Sequence, residues 1–203
     1  MFNLALAVVA YLIGSFPTAY VVGKQARGID ILRNGTGNVG AMNAYDVTGS
    51  KLIGVTVGTI DILKGIAVTM IAQHIFGLTG STIVSEGDGR LGLCVMAGFF
   101  AVLGHNYSVF IKFKGGRGLA TAAGALLIVQ PLSVAIYLAI YISLRAAKLK
   151  LYLSSVFGIL IASIPLLAKF AAAPIVEVFA ALLLIVVLSK HMIPLKDELQ
   201  NGI

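Results

Sequence analysis

The chain has 203 residues, of which 59% are hydrophobic and only 11% charged, against about a quarter charged in soluble proteins. A mean hydropathy of +0.99 excludes a water-soluble domain, which could not cover so much apolar surface, and identifies a polytopic membrane protein. A lone cysteine, Cys94, excludes an intramolecular disulfide and a cysteine-rich metal site.

Apolar segments are expected at 3–23, 52–79, 91–110, 118–129, 131–147, 151–169 and 173–191. The first lacks the basic flank of a signal peptide and is long enough to span, so it reads as a retained helix. Gln130-Pro131 divides what would otherwise be one long segment. The piece before it, 118–129, is too short to cross about 30 Å of hydrocarbon. Pro174 is expected to open the last span after a turn at Lys169–Ala173. The fold class is therefore all-α, with about seven membrane segments including one half-length helix, in one membrane domain over 1–203.

The net charge of +7 is informative through its placement. Lys24, Arg27, Arg33 and Lys51 follow the first span; Lys112, Lys114 and Arg117 follow the third. Arg145, Lys148 and Lys150 follow the fifth, and Lys190 and Lys196 the seventh. Only Arg90 and Lys169 fall on the opposite side, and Lys64 lies within the second span. Twelve cations against two put the N-terminus outside and the C-terminus in the cytoplasm by the positive-inside rule. Both glycine-rich basic loops then face the cytoplasm.

The first of these loops reads Arg33-Asn34-Gly35-Thr36-Gly37-Asn38-Val39-Gly40-Ala41-Met42-Asn43. Glycine allows close approach of backbone to ligand, Thr36 and Asn38 add donors, and a helix starting near Val39 would aim its N–H groups at an anion. A flexible loop with a simple helix cap is the plainer alternative. The second loop, Lys112-Phe113-Lys114-Gly115-Gly116-Arg117-Gly118, combines fixed positive charge with bare backbone N–H groups, the chemistry of a phosphate site. The half-length helix after Arg117 would direct its positive end at whatever the loop holds. An electrostatic anchor for anionic lipid headgroups is the alternative.

Within the spans, Asp61 and Lys64 share a helical face and are expected to interact. Intramembrane charges are costly and functional by default, although a structural pair would look the same in sequence. His105 and His191 end spans on the cytoplasmic side and could serve as phosphate donors or proton-transfer groups, or could be helix-end histidines satisfied by backbone. Ser15 and Ser154 are small polar residues in spans that could line a site or only pack helices. No zinc spacing, Walker pattern or Ser-His-Asp set is present.

Together, several stretches resemble the bacterial acyl-phosphate:glycerol-3-phosphate acyltransferase family. They are Gly14-Ser15-Phe16-Pro17 through Gly23-Lys24, Gly28-Ile29-Asp30, Gly35 through Asn43 and Asp61-Ile62-Leu63-Lys64-Gly65. They continue with Gly104-His105, Lys112 through Thr121, Tyr152-Leu153-Ser154 and His191. The resemblance implies a seven-segment fold in the bacterial inner membrane, with the active site toward the cytoplasm. It implies transfer of a fatty acyl group from acyl phosphate to glycerol 3-phosphate, without cofactor or metal. Membrane lipids would surround it, with neither nucleic acid nor an obligate protein partner.

Direct attack without a covalent acyl-enzyme is expected, because acyl phosphate is already activated. The His-x4-Asp arrangement of other glycerolipid acyltransferases is also absent: Thr79, Phe110 and Lys196 stand where the aspartate would be. The expected catalytic residues are His105, Lys112 and Asn38. The substrate-binding set is Ser15, Lys24, Arg33, Thr36, Gly37, Gly40, Asn43, Lys64, Gly115, Gly116, Arg117, Thr121, Ser154 and His191. The chain departs from the family pattern at Leu32 and Asp46, where arginines are usual, and at Thr36, Met42, Arg117, Phe157 and Pro194. A paralogue using another acceptor, or an organophosphate transporter, is the competing expectation.

Overall fold

The computed structural model describes residues 2–79, 88–170 and 174–201. Among them the regular structure is helical, apart from one isolated antiparallel bridge between Ser108 and Lys114. The helices are α1 (Phe2–Ser15), α2 (Thr18–Arg27), α3 (Ala41–Thr48), α4 (Lys51–Thr79), α5 (Asp88–Asn106), α6 (Leu119–Val129), α7 (Pro131–Ala146), α8 (Leu151–Phe170) and α9 (Pro174–Asn201). A single 3-10 turn occupies Val109–Ile111.

Among the described residues, four helical stretches are long and apolar enough to cross a membrane: Asn3–Arg27, Lys51–Ile75, Leu151–Ala168 and Val176–Gln200. Arg90–Asn106, Leu119–Val129 and Pro131–Ala146 are shorter apolar helices. The first expected span differs in one respect. It is broken at Phe16–Pro17 into α1 and α2, because Pro17 has no N–H to continue the ladder. The Ile13 carbonyl is instead taken by the Phe16 N–H at 3.3 Å. α2 then runs to Arg27 and closes on Gly28 in the left-handed conformation, φ 67°. The last helix also continues past 191, through Pro194, to Asn201. Pro174 does open it, but Ala171–Ala173 of the expected turn lie outside the described residues. The half-length helix falls where expected. With 11 residues it covers only about 16 Å at 1.5 Å per residue.

α5 runs through the middle of the molecule, against α1, α4, α6 and α9. Its residues Cys94, Val95, Met96, Ala97 and Ala101 form the main core with Leu6 and Ala10 of α1, Val68 and Ala72 of α4, and Ala180 of α9. Lipid tails are as apolar as leucine, so burial alone does not drive such helices together, and close backbone approach through small residues does. Gly14 lies against the Ala101 carbonyl, and Gly104 against Tyr11 and Ser15, at the α1–α5 crossing. Gly65 and Gly124 make the α4–α6 crossing, where a Cβ on Gly124 would run into the Ile62 carbonyl and one on Gly65 into that of Thr121. Gly124→Val should therefore destabilise the protein by about 1–3 kcal/mol, the usual cost of overpacking. A lowered thermal unfolding midpoint in detergent would register it. Gly77→Ala, where a Cβ meets nothing within 4 Å, should leave the midpoint unchanged or slightly raised.

Candidate functional site

The break between α1 and α2 rests on a buried ionic cluster. The Asp61 carboxylate, 2% exposed, accepts from Lys64 Nζ at 2.7 Å and from Thr18 Oγ1 at 3.0 Å. Lys64 also donates to the Phe16 carbonyl at 2.5 Å, an acceptor made available where the helix is interrupted. His105 Nδ1 stands 3.7 Å from the same Asp61 oxygen. The expected Asp61–Lys64 interaction is present, and it ties α1, α2, α4 and α5 together at one depth.

His105 connects this cluster to the basic loop. Its carbonyl accepts the Gly116 N–H at 3.0 Å, and its Nε2 abuts the position where a Gly116 Cβ would stand. Gly115 similarly lies against the His105 and Asn106 carbonyls. The two glycines thus let the loop lie flat on the end of α5. This corrects in part the expectation of bare backbone N–H groups in the loop, since three of them are taken. The Phe113 N–H donates to the Ser108 carbonyl at 2.8 Å, that of Lys114 to Ile111 at 3.2 Å, and that of Gly116 to His105. The N–H groups of Gly115, Arg117 and Gly118 donate to no carbonyl among the described residues, and they lead into the first turn of α6, which follows Gly118 (φ 79°) and has no side-chain cap. The half-helix after Arg117 therefore has an uncapped positive end of the expected kind.

The other glycine-rich loop is built around Asn43. Its Oδ1 accepts the Thr36 N–H at 2.9 Å, and its Nδ2 donates to the carbonyls of Asn38 at 3.0 Å, Asn34 at 3.2 Å and Ile31 at 3.4 Å. Gly35 and Gly37 adopt positive φ, 60° and 68°, which lets the chain wrap this amide. Helix α3 begins at Ala41 with Gly40 as its cap, two residues later than the expected Val39. The Val39 N–H instead reaches the Gly115 carbonyl at 3.4 Å. That bond joins the two loops edge to edge.

Beside this junction the Arg117 guanidinium lies over the Tyr152 ring at 4.5 Å. Tyr152 is fixed by Glu198, whose carboxylate accepts the Tyr152 N–H at 3.0 Å and the Leu153 N–H at 3.1 Å, capping α8 from the end of α9. His191 is buried with Nδ1 2.8 Å from the Val187 carbonyl, and Ser154 Oγ donates to the Lys150 carbonyl at 2.8 Å. Thr121 is fully buried on the first turn of α6, its hydroxyl without a partner among the described residues. An apolar cavity of about 60 Å³ between α6, α7, α8 and α9 is lined by Leu119, Ala122, Tyr137, Ile159, Leu166 and Val187.

The structure joins the two loops at Val39, which meets Gly115 and Gly116, with Asn38 and Gly40 on either side of Val39 and Arg117 next to Gly116. Lys112 is exposed at the far turn of the loop, in the left-handed conformation. Lys24 is exposed and stands 3.3 Å from the Tyr20 hydroxyl; Arg33 is exposed and reaches only Asp30, at 3.5 Å. Neither is drawn into the junction. Ser15 is buried at the α1–α5 crossing, its carbonyl accepting from Ser108 Oγ at 2.5 Å. Lys64, Asn43 and His105 have their polar atoms turned inward to protein, beneath the loops rather than on them. The sequence reading missed Thr18, Glu198 and Lys190, the last stacked over Tyr107 at 4.2 Å. Glu198 could have been noticed as one of the few charged residues in a short apolar tail, beside Lys196 and Asp197; Thr18 carries no such signal. Among the described residues no cluster of three His, Cys, Asp or Glu side chains could hold a metal ion.

Known proteins are similar to this chain in sequence and in overall structure. The family described as glycerol-3-phosphate acyltransferase matches residues 4–200. Glycerol-3-phosphate acyltransferase 2 of Moorella thermoacetica is 46% identical over 134 residues, which are 66% of this chain and 61% of that protein. The chain thus spans about three fifths of the length of the curated relatives it matches. Two crystal structures of PlsY, an integral membrane glycerol 3-phosphate acyltransferase, cover 100% of this chain. The glycerol 3-phosphate form has a TM-score of 0.80 at 30% identity over 94% of its own chain, and the lysophosphatidic acid form 0.78 at 29% over 93%.

The ionic cluster makes a prediction of its own. Asp61→Leu leaves the Lys64 ammonium buried without its countercharge and should cost about 3–5 kcal/mol, whereas Asp61→Leu with Lys64→Met should cost far less. Thermal unfolding of both variants measures the difference; equal losses would mean that the charges are not coupled.

Proposed function

This chain belongs to the glycerol-3-phosphate acyltransferase family, and from that premise we propose that it moves a fatty acyl group from acyl phosphate to the 1-hydroxyl of glycerol 3-phosphate. One observation carries the reading. Two joined glycine-rich loops carrying Arg117 meet an uncapped helix N-terminus, whose first residue, Leu119, lines an apolar cavity. That pairing suits a molecule with a phosphate at one end and an alkyl chain at the other, as in both the acyl donor and the lysophosphatidic acid product.

In this reading Arg117, Lys112, Gly115 and Gly116, with the first turn of α6 and Thr121, neutralise the donor phosphate. Asn38, Thr36, Gly37 and Gly40 receive the second phosphate and the glycerol hydroxyls, and Lys24 and Arg33 add positive potential on the same face. His191 and Ser154 border the pocket, and the acyl chain lies in the cavity between α6, α7, α8 and α9. Ser15, Asn43 and Lys64 are positioning residues. His105, beneath Gly116, supports the loop and is poorly placed to act as a base. The acceptor oxygen attacks the acyl carbonyl, the new C–O bond forms and the acyl–phosphate bond breaks. Phosphate departs with the electron pair and accepts the hydroxyl proton. Positioning and electrostatic stabilisation supply the acceleration. The seven-segment topology, with its N-terminus outside and its site toward the cytoplasm of a bacterial inner membrane, belongs to the same proposal.

Purified protein given palmitoyl phosphate and glycerol 3-phosphate should release phosphate and form lysophosphatidic acid in equal amounts. Phosphate release without the lipid would point to another acceptor, and neither product would defeat the reading. Arg117→Ala should lower the rate by about 10²–10³, the effect of removing one preorganised donor. Lys112→Ala at full activity would take that residue out of the site.

A further inference from the structure

The Arg117 side chain is held by a ring rather than by a countercharge. Its guanidinium carbon stands 4.5 Å from the centroid of the Tyr152 ring, and among the described residues no carboxylate pairs with it. A salt bridge would occupy the edge of the guanidinium, where all five N–H donors lie. A ring contacts the cation through its π face and takes none of them. Arg117 is thus fixed in place with its hydrogen-bonding edge open.

The ring is in turn fixed from two helices. Tyr152 lies in the first turn of α8, and its N–H donates to the Glu198 carboxylate of α9 at 3.0 Å, as does that of Leu153 at 3.1 Å. Lys150 Nζ donates to the Glu198 carbonyl at 2.6 Å, and Ser154 Oγ closes on the Lys150 carbonyl at 2.8 Å. Glu198 is buried, so these bonds are shielded from water. On the other side, Arg117 follows Gly116, whose N–H is bonded to the His105 carbonyl at 3.0 Å. Backbone and guanidinium are therefore anchored separately, one to α5 and the other, through Tyr152, to α8 and α9. A long side chain pinned at both ends gives up its rotamer freedom on folding, before any ligand arrives.

We propose that Tyr152 is a positioning residue for the reaction, its ring presetting the Arg117 guanidinium so that two of its N–H groups meet two phosphate oxygens together. The inference rests on the donor-phosphate role given to Arg117 above. Glu198 and Lys150 act through Tyr152, by keeping the ring where the guanidinium needs it.

Tyr152→Leu removes the ring and keeps an apolar side chain. Tyr152→Met serves the same purpose if that variant misfolds, which gel filtration in detergent would reveal. In the full-length protein, Tyr152→Leu should weaken binding of inorganic phosphate, measured by calorimetry, about tenfold, and lower kcat/KM for palmitoyl phosphate by a similar factor. Tyr152→Phe should restore both, because the ring and not the hydroxyl holds the cation. In an Arg117→Ala background, Tyr152→Leu should have no further effect on either quantity, since each change then removes the same interaction. A loss of full size in that background would mean that the ring supports the fold or another group, and would overturn the proposal. Phosphate affinity that is equal in the wild type and Tyr152→Leu, or undetectable in both, would overturn it too. The two measurements also separate this inference from the reading beneath it. Phosphate affinity that depends on Tyr152, with no lysophosphatidic acid formed by the wild-type protein, would sink acyl transfer and uphold the Tyr152–Arg117 pair.

Discussion

The Asp61–Lys64 pair is the constraint on which the rest of the molecule depends. Two charges in an apolar body are costly, and the attraction between them offsets desolvation only where further hydrogen bonds complete both groups. Here those bonds come from elsewhere in the chain. Thr18 donates to the carboxylate, and the Phe16 carbonyl accepts from the ammonium. The break at Pro17 is what makes them available. It releases Phe16 from the helical ladder and starts α2 with Thr18 facing Asp61. A continuous first helix would leave Lys64 with fewer acceptors. The break and the buried pair therefore require each other.

From this cluster, order passes outward through packing. His105 sits next to Asp61 on one side and beneath Gly116 on the other. Gly115 and Gly116 are small because the end of α5 lies directly under them. The half-length α6 is held to α4 by the paired glycines Gly65 and Gly124, which sets the level at which its N-terminus emerges beside Arg117. The level and direction of the basic loop thus follow from a helix crossing within two turns of it. The glycines in these motifs serve two purposes. Some free the backbone, as at Gly37 and Gly118, and others remove a side chain that would collide, as at Gly116 and Gly124.

Acyl transfer from an activated donor asks little of the protein beyond holding two phosphates and an alkyl chain in register. A site of that kind needs a stiff base more than it needs titrating groups. Asn43 stiffens one loop by satisfying four backbone groups with a single amide. Glu198 stiffens another edge by capping α8 from α9. Neither residue presents its polar atoms outward, yet each fixes the backbone beneath groups that do.

Much was legible in the sequence because it depends on local composition. Apolar runs, prolines and sorted cations defined the helices, the half-length α6 and the clustering of basic loops. The spacing of Asp61 and Lys64 alone put both on one helical face. The direction in which polar atoms point depends on neighbours distant in sequence, and only the tertiary structure decided it. It placed Lys64, Asn43 and His105 beneath the site, and closed the N–H groups of Phe113, Lys114 and Gly116 on carbonyls of Ser108, Ile111 and His105 while leaving those of Gly115, Arg117 and the first turn of α6 open. It also joined Val39 to Gly115 across some seventy residues of chain. The physical reason is that a buried donor must find an acceptor, and which acceptor lies within reach is settled by how the helices cross.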